Sequence, residues 1–349
     1  MTIPVSSFCS NRRIELIAKR GDERCDIALI ITVDVEPDNV WAKPDSRSTR
    51  NARCLARFHE FCVSYGFPVT YLATWEMAEA RDFIQFAREV IASDTGEIGL
   101  HPHAWTNPPL TPQAPERWRR PAFMGEYPKE IITRKVRMLK RHLEDVLGVR
   151  MSAHRAGRWA LSEEYLDVLI ELGIEVDCSV TPGVNWRFTR GGKWWAGGPD
   201  YSRSPTEPFL IRHSSGDAQR GAIVEVPMTT RIEGGGEAWA LRMFDRMSPW
   251  LPPIGRLGTL RPARVKWLRP THSTGDELLQ LAQCCIEARD THLELMLHSS
   301  ELLAGANPYF EDEIAVEQAY ARLRELFGGL SGRVRGCTLS AFAAPYKRR

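Results

Sequence analysis

Residues 27–33 read IALIITV, an apolar and β-branched run with no charge inside it. A strand of that kind is buried on both faces, as happens when a parallel sheet is covered by helices. Parallel strands cannot be joined by tight turns, so each needs a crossover, usually a helix. The rest of the chain supplies that alternation. Helical periodicity runs from about Thr49 to Tyr65, with Leu55, Phe58, Phe61 and Cys62 on one face, and again over 75–93 and 129–147. LSEEYLDVLIELG (161–173) adds a helix with Ser162 as N-cap and Gly173 as its stop. Between and after these lie short strand-like runs at 66–74, 97–103, 152–156, 174–180, 221–229 and 293–299. The pattern predicts an α/β fold with about seven parallel strands.

A chain of 349 residues is long enough for one large core. We divide it into an N-terminal extension (1–26) and a barrel-sized domain (27–345), interrupted by a Gly-, Pro- and Trp-rich irregular insertion over about 182–270. The formal charge of +2, from 46 Lys and Arg against 44 Asp and Glu, gives no global field for nucleic acid. Eight cysteines without a C-x-x-C pair read as reduced thiols. Charges interrupt the N-terminus where a signal peptide needs an apolar core, and no apolar run reaches membrane-spanning length. The expectation is a cytoplasmic protein without a transmembrane segment.

Titratable residues gather at the predicted strand ends: Asp34 and Glu36, His101 and His103, Arg155, Asp177, and His298. In a parallel barrel those ends converge on one face, where catalytic groups sit. Asp34 and Glu36 are two apart on an extended segment, as are His101 and His103, so each pair can point one way. Pro102 cannot donate to a ladder and so marks the strand's end. Two imidazoles and a carboxylate with open positions suit a catalytic zinc or ferrous ion. Taken one at a time, an H-x-H pair is a solvated turn and Asp34 a turn cap; their coincidence at strand ends points to one shared site.

Four stretches resemble the polysaccharide deacetylases, the NodB-like domains of carbohydrate esterase family four, in order over about residues 27–300. These are ITVDVE, EIGLHPHAW, HRAGRWALSEEYLDVLIELGIEVDCSV and LMLHSSE. The resemblance implies a distorted (β/α) barrel and metal-dependent hydrolysis of N- or O-acetyl groups on a sugar or glycan precursor. It also implies Asp34 as catalytic base, Arg155 as the partner that keeps the base ionised, His298 as general acid and His101 as a metal ligand. Three departures stand out. The family's second aspartate is Val35 here, which leaves Glu36 as its replacement; the usual second histidine position is Trp105, with His103 offered instead; and the proline after the arginine is Gly157. We read the first two as compensating shifts that retain a divalent metal, most simply zinc, on Glu36, His101 and His103.

Of 11 tryptophans, Trp105, Trp159, Trp194 and Trp195 fall near the expected rim, where indole faces can pack on sugar rings; ordinary core packing is the alternative for each. The basic segment 256–270 offers a peripheral contact with an anionic membrane or a sugar phosphate, or is simply a solvated surface. HSSELLAGANPYF, from His298 onward, resembles strings in deacetylase-like proteins of bacterial surface-glycan assembly. That implies lipopolysaccharide or exopolysaccharide biosynthesis; helix capping by Ser299 or Ser300 is the plain alternative. The rival readings are a metal-independent amidohydrolase acting on a small amide and a non-catalytic glycan-binding barrel.

Overall fold

The computed structural model describes residues 14–16, 27–43, 46–110, 122–192, 197–217, 220–233, 264–271 and 273–347. The short β1 (Ile14–Leu16) is followed by β2 (Ile27–Val35), α1 (Leu55–Ser64), β3 (Val69–Ala73), α2 (Trp75–Glu79), α3 (Arg81–Ala92), β4 (Gly96–Leu100) and α4 (Lys129–Leu147). Next come β5 (Ala153–His154), α5 (Glu163–Glu171), β6 (Val176–Asp177), β7 (Phe209–Arg212), β8 (Ala222–Glu225), β9 (Thr230–Glu233) and β10 (Arg264–Trp267). The chain ends with α6 (Gly275–Glu287), β11 (His292–His298), α7 (Glu313–Leu330), β12 (Val334–Gly336) and α8 (Leu339–Ala343).

Seven of these strands pair in parallel in the order β8-β6-β5-β4-β3-β2-β11 and curl into an open barrel. β7 extends the β8 edge antiparallel, and β1 pairs with β7. β12 adds a short parallel pairing at the start of β2. The gap between β8 and β11 is bridged through Leu268, whose N–H donates to the Thr229 carbonyl (3.1 Å) and whose carbonyl accepts from Met296 N–H (3.2 Å). The distorted α/β barrel expected from the sequence is therefore the one observed. The expected helix over 75–93 is two: Ala80 turns to an extended ψ of 121° between α2 and α3.

The period-2 geometry of strands separates the two faces of β2. Leu29, Ile31, Val33 and Val35 join the large core under the helices, while Ala28 and Ile30 join a second cluster with Leu72, Ala153, Val176, Cys178 and Val224. These are the concave-face positions. Leu339 and Phe342 of α8 pack into that cluster and close the barrel at the strands' N-terminal end. The opposite end is left to Thr32 and Asp34, the next concave-face residues of β2. Cys54, Cys62, Cys178, Cys284, Cys285 and Cys337 are free thiols.

Gly99 shows how close the backbones come below the site. A Cβ there would lie 2.6 Å from the Ala153 carbonyl oxygen and 2.7 Å from a Leu72 methyl. Gly99→Ala is expected to destabilise the protein by about 1–3 kcal/mol in chemical unfolding, because neither neighbour can retreat without disturbing the β4–β5 pairing.

Candidate active site

Register brings the strand-end residues together. Asp34 and His298 are direct neighbours across β2 and β11. The N–H of His101 donates to the Ala73 carbonyl (2.9 Å) and that of Arg155 to the Leu100 carbonyl (2.9 Å), so each ladder carries the next side chain to the rim. Asp34, Glu36, His101, His103 and Arg155 are all buried.

Arg155 is the hub. Its Nη1 donates to Asp34 Oδ1 (2.6 Å), Nε to the Cys178 carbonyl (3.1 Å), and Nη2 to Thr32 Oγ1 (2.8 Å) and to Glu294 Oε1. The indole of Trp159 covers the guanidinium at 4.7 Å. The Arg155 carbonyl accepts from His101 Nδ1–H (3.0 Å), which leaves Nε2 of that ring as a bare lone pair. Burial, the largest influence on Asp34, pushes its pKa up, but Arg155, His101 and His298 outweigh it and hold the carboxyl at about 2. Burial likewise pulls His101 down to about 4, so its imidazole is neutral at ordinary pH.

Glu36, His101 and His103 bring a carboxylate oxygen and two ring nitrogens within 4.8 Å of one another. Glu36 Oε2 lies 3.4 Å from His103 Nε2 and 4.0 Å from His101 Nε2. Glu36 Oε2, His101 Nε2 and both nitrogens of His103 are buried without a hydrogen-bond partner. Three buried lone pairs left unpaired would cost several kcal/mol, and one divalent cation would satisfy them together. The donor set, one carboxylate and two imidazoles, fits such an ion.

The neighbours of these three residues hold the shifted motifs in place. Trp41 Nε1–H donates to Glu36 Oε1 (2.7 Å), fixing which oxygen remains free. Ser299 Oγ accepts from the Glu36 N–H (3.1 Å), and Asn51 Nδ2 donates to the Glu36 carbonyl (2.9 Å). Ser299 is thus tied to Glu36 and caps no helix. Trp105 stacks on His103 with ring centroids 4.3 Å apart. A Cβ on Gly157 would come within 2.9 Å of both His103 Cδ2 and the Pro102 carbonyl oxygen, so glycine at 157 admits the close approach of the 102–103 segment.

His298 faces the same space, with Nε2 4.0 Å from both Asp34 Oδ2 and Glu36 Oε1. Its Nδ1–H donates to Glu301 Oε1 (2.9 Å), a carboxylate also held by Arg269 Nη2 (3.1 Å) and Thr271 Oγ1 (2.7 Å). Burial, the largest influence, pulls the His298 pKa down; Glu36 and Glu301 more than offset it and leave it raised.

Other sequence expectations fall elsewhere. Asp177 turns to the helix-covered face, where it meets His154 Nδ1 (2.5 Å) and, through that ring, the Tyr165 hydroxyl (2.6 Å), so it leaves the shared site. Strand alternation decides this, since Arg155 points inward and its predecessor His154 outward. Of the tryptophans expected at the rim, Trp159 lies over the Arg155 guanidinium and Trp105 against the His103 ring, both beside the site. Trp194 and Trp195 lie outside the described residues, as does most of 256–270. Within its described part Lys266 pairs with Glu277 (3.8 Å) and Arg269 enters the site. Sequence reasoning missed Trp41, Glu294, Glu301 and Arg269. Two signals were available: a carboxylate inside the apolar strand LELMLH, and an i, i+3 spacing from His298 to Glu301. Trp41 is 43% exposed and edges on the rings of His103, Trp105 and His298, so it forms an open aromatic wall at the mouth.

No family model matches the sequence, and no curated protein does. Solved structures do match in fold. A candidate polysaccharide deacetylase from Mycobacterium smegmatis aligns with a TM-score of 0.56 at 15% identity, over 96% of this chain and 95% of that one. A candidate glycoside hydrolase or deacetylase from Parabacteroides distasonis gives 0.54 at 12% identity, over 92% and 71%. A candidate polysaccharide deacetylase from Pseudomonas aeruginosa PAO1 gives 0.51 at 11%, over 93% and 92%. At these identities the likeness is one of fold: the chain shares the distorted α/β barrel of these structures.

Titrating metal-free protein with Zn²⁺ against a chromophoric chelator should find one ion per chain, with binding lost in Glu36→Gln, His101→Ala and His103→Ala. Trp41→Phe and Gly157→Ala, which disturb the ligands without removing them, should weaken it by roughly 10–100-fold.

Proposed function

We propose that this chain is a metal-dependent hydrolase that removes N- or O-acetyl groups from a sugar or glycan precursor. The observation that carries the reading is the set of unpaired ligand atoms of Glu36, His101 and His103 beside Asp34 and His298. A divalent ion bound there, zinc in the simplest case, would polarise an acyl carbonyl and make a bound water more acidic. The chain's own groups supply the rest. Asp34, held ionised by Arg155, accepts the proton of an attacking water through Oδ2, the oxygen that does not bond Arg155. His298, oriented by Glu301 with Nε2 toward the site, donates its proton to the leaving amine or alkoxide. Trp41 presents an indole at the entrance, suited to the C–H face of a sugar ring.

No helix among the described residues is long and apolar enough to cross a membrane. We place the substrate among acetylated precursors of lipopolysaccharide or exopolysaccharide, modified in the cytoplasm before export. Support comes from the resemblance of the HSSELLAGANPYF segment to strings in deacetylase-like proteins of bacterial surface-glycan assembly. Peripheral membrane contact through 256–270 would suit a lipid-linked substrate.

The reading is tested by acetate release from acetylated amino-sugar oligosaccharides and from nucleotide- and lipid-linked acetylated sugars. Activity should vanish on chelation, return with divalent metal, and fall by about 10⁴-fold in Asp34→Asn. Full turnover in the presence of a strong chelator would favour metal-free amide hydrolysis instead. Glycan binding without acetate release over long incubation would identify a binding protein.

A further inference from the structure

Glu294 is fully buried in the middle of β11, four residues before His298, and the chemistry above makes no use of it. Its Oε1 accepts from Arg155 Nη2 and from Thr32 Oγ1 (3.0 Å), and its N–H donates to Thr229 Oγ1 (2.8 Å). The guanidinium that steadies Asp34 is thus gripped from its other side by a second carboxylate, lodged deeper in the barrel. Its surroundings are Thr32 and Asp34 from β2, Arg155 beyond β5 and Cys178 beyond β6, and the buried Glu225 of β8 adds a longer-range negative charge from the other face of the sheet. One cation, Arg155, therefore lies between two buried carboxyls.

We infer that Glu294 is a positioning residue for the reaction: it shares the Arg155 guanidinium with Asp34 and, by losing or gaining a proton, sets how strongly that guanidinium acts on the base. This rests on the hydrolase reading for its consequence in turnover, though not for its geometry. Burial, the largest influence, lifts the Glu294 carboxyl to about 7 against the opposing pull of Arg155, so the group changes charge in the working range. When neutral, it leaves the full positive charge to Asp34. When ionised, it draws on the same cation, and Coulomb's law makes Asp34 the better proton acceptor. Turnover therefore rises with pH as Glu294 ionises. A carboxylate retained only as structural filling would hold Arg155 in place without this pH dependence.

Carboxyl ¹³C resonances followed from about pH 5 to about pH 9 test the inference without turnover, Glu294 being assigned by its absence from Glu294→Gln. We expect a midpoint near 7 for Glu294. The Nε–H resonance of Arg155, assigned by its loss in Arg155→Lys, should move with the same midpoint in the wild type and stay fixed in Glu294→Gln. A Glu294 midpoint in the ordinary carboxylate range, or an Arg155 signal indifferent to it, overturns the inference. With an acetylated substrate, kcat should climb through that midpoint in the wild type, and the climb should be missing in Glu294→Gln. The substitution should lower kcat roughly 10-fold above the midpoint while KM moves less than about twofold. Glu294→Asp should restore part of the limb, and an unaltered profile in Glu294→Gln also overturns the inference. A wild type that releases no acetate counts against the hydrolase reading alone, and the resonances still decide the role of Glu294.

Discussion

The Arg155 guanidinium ties the molecule together. It joins β2 through Thr32 and Asp34, β11 through Glu294, and the segment beyond β6 through the Cys178 carbonyl, while its own carbonyl sets the tautomer of His101. A fully buried arginine is tolerable only when its donors are met, and here the three nitrogens together meet four acceptors. Removing a partner from such a group usually costs 3–5 kcal/mol or so, because a charge is left uncompensated in the interior. The same contacts that close the barrel's upper layer therefore orient the Asp34 carboxylate and the His101 ring.

The three residues that could hold a metal ion are each held by close neighbours. Glu36 reaches the site one residue later than the aspartate of the family pattern it resembles, and its longer side chain is steadied at both ends, by Trp41 at the carboxylate and by Ser299 and Asn51 at the backbone. His103 approaches from a tight turn after Pro102, in space that only glycine at 157 leaves free. Trp105, at the position the pattern gives to a histidine, stacks on His103 and holds its ring plane. Together the shifted residues bring one carboxylate oxygen and two ring nitrogens within 4.8 Å of one another, a donor set that could hold a metal ion.

Much of the fold was legible in the strands because their apolar runs and separating helices are local signals. The match was close for β2, α4, α5 and β11. It failed at Ala80, where the periodicity runs through a break that only ψ reveals, and at Asp177, whose position at a strand end says nothing about which face it takes. Trp41, Glu301 and Arg269 were overlooked because each becomes relevant through a contact with a residue the sequence had already singled out.

The sequence by itself determined a helix-covered parallel sheet, the residue types available at its C-terminal rim, and the resemblance that assigns roles to Asp34, Arg155, His101 and His298. These are consequences of periodicity and short-range spacing, which a linear chain displays openly. Only the tertiary structure decided that Glu36, His101 and His103 converge with unpaired lone pairs, that the backbone at 102–103 passes close against Gly157, and that a second carboxylate shares the arginine that holds Asp34. Those facts depend on the register between strands distant in sequence and on the face each side chain takes. Both are fixed when the sheet curls, and neither is written in any single segment.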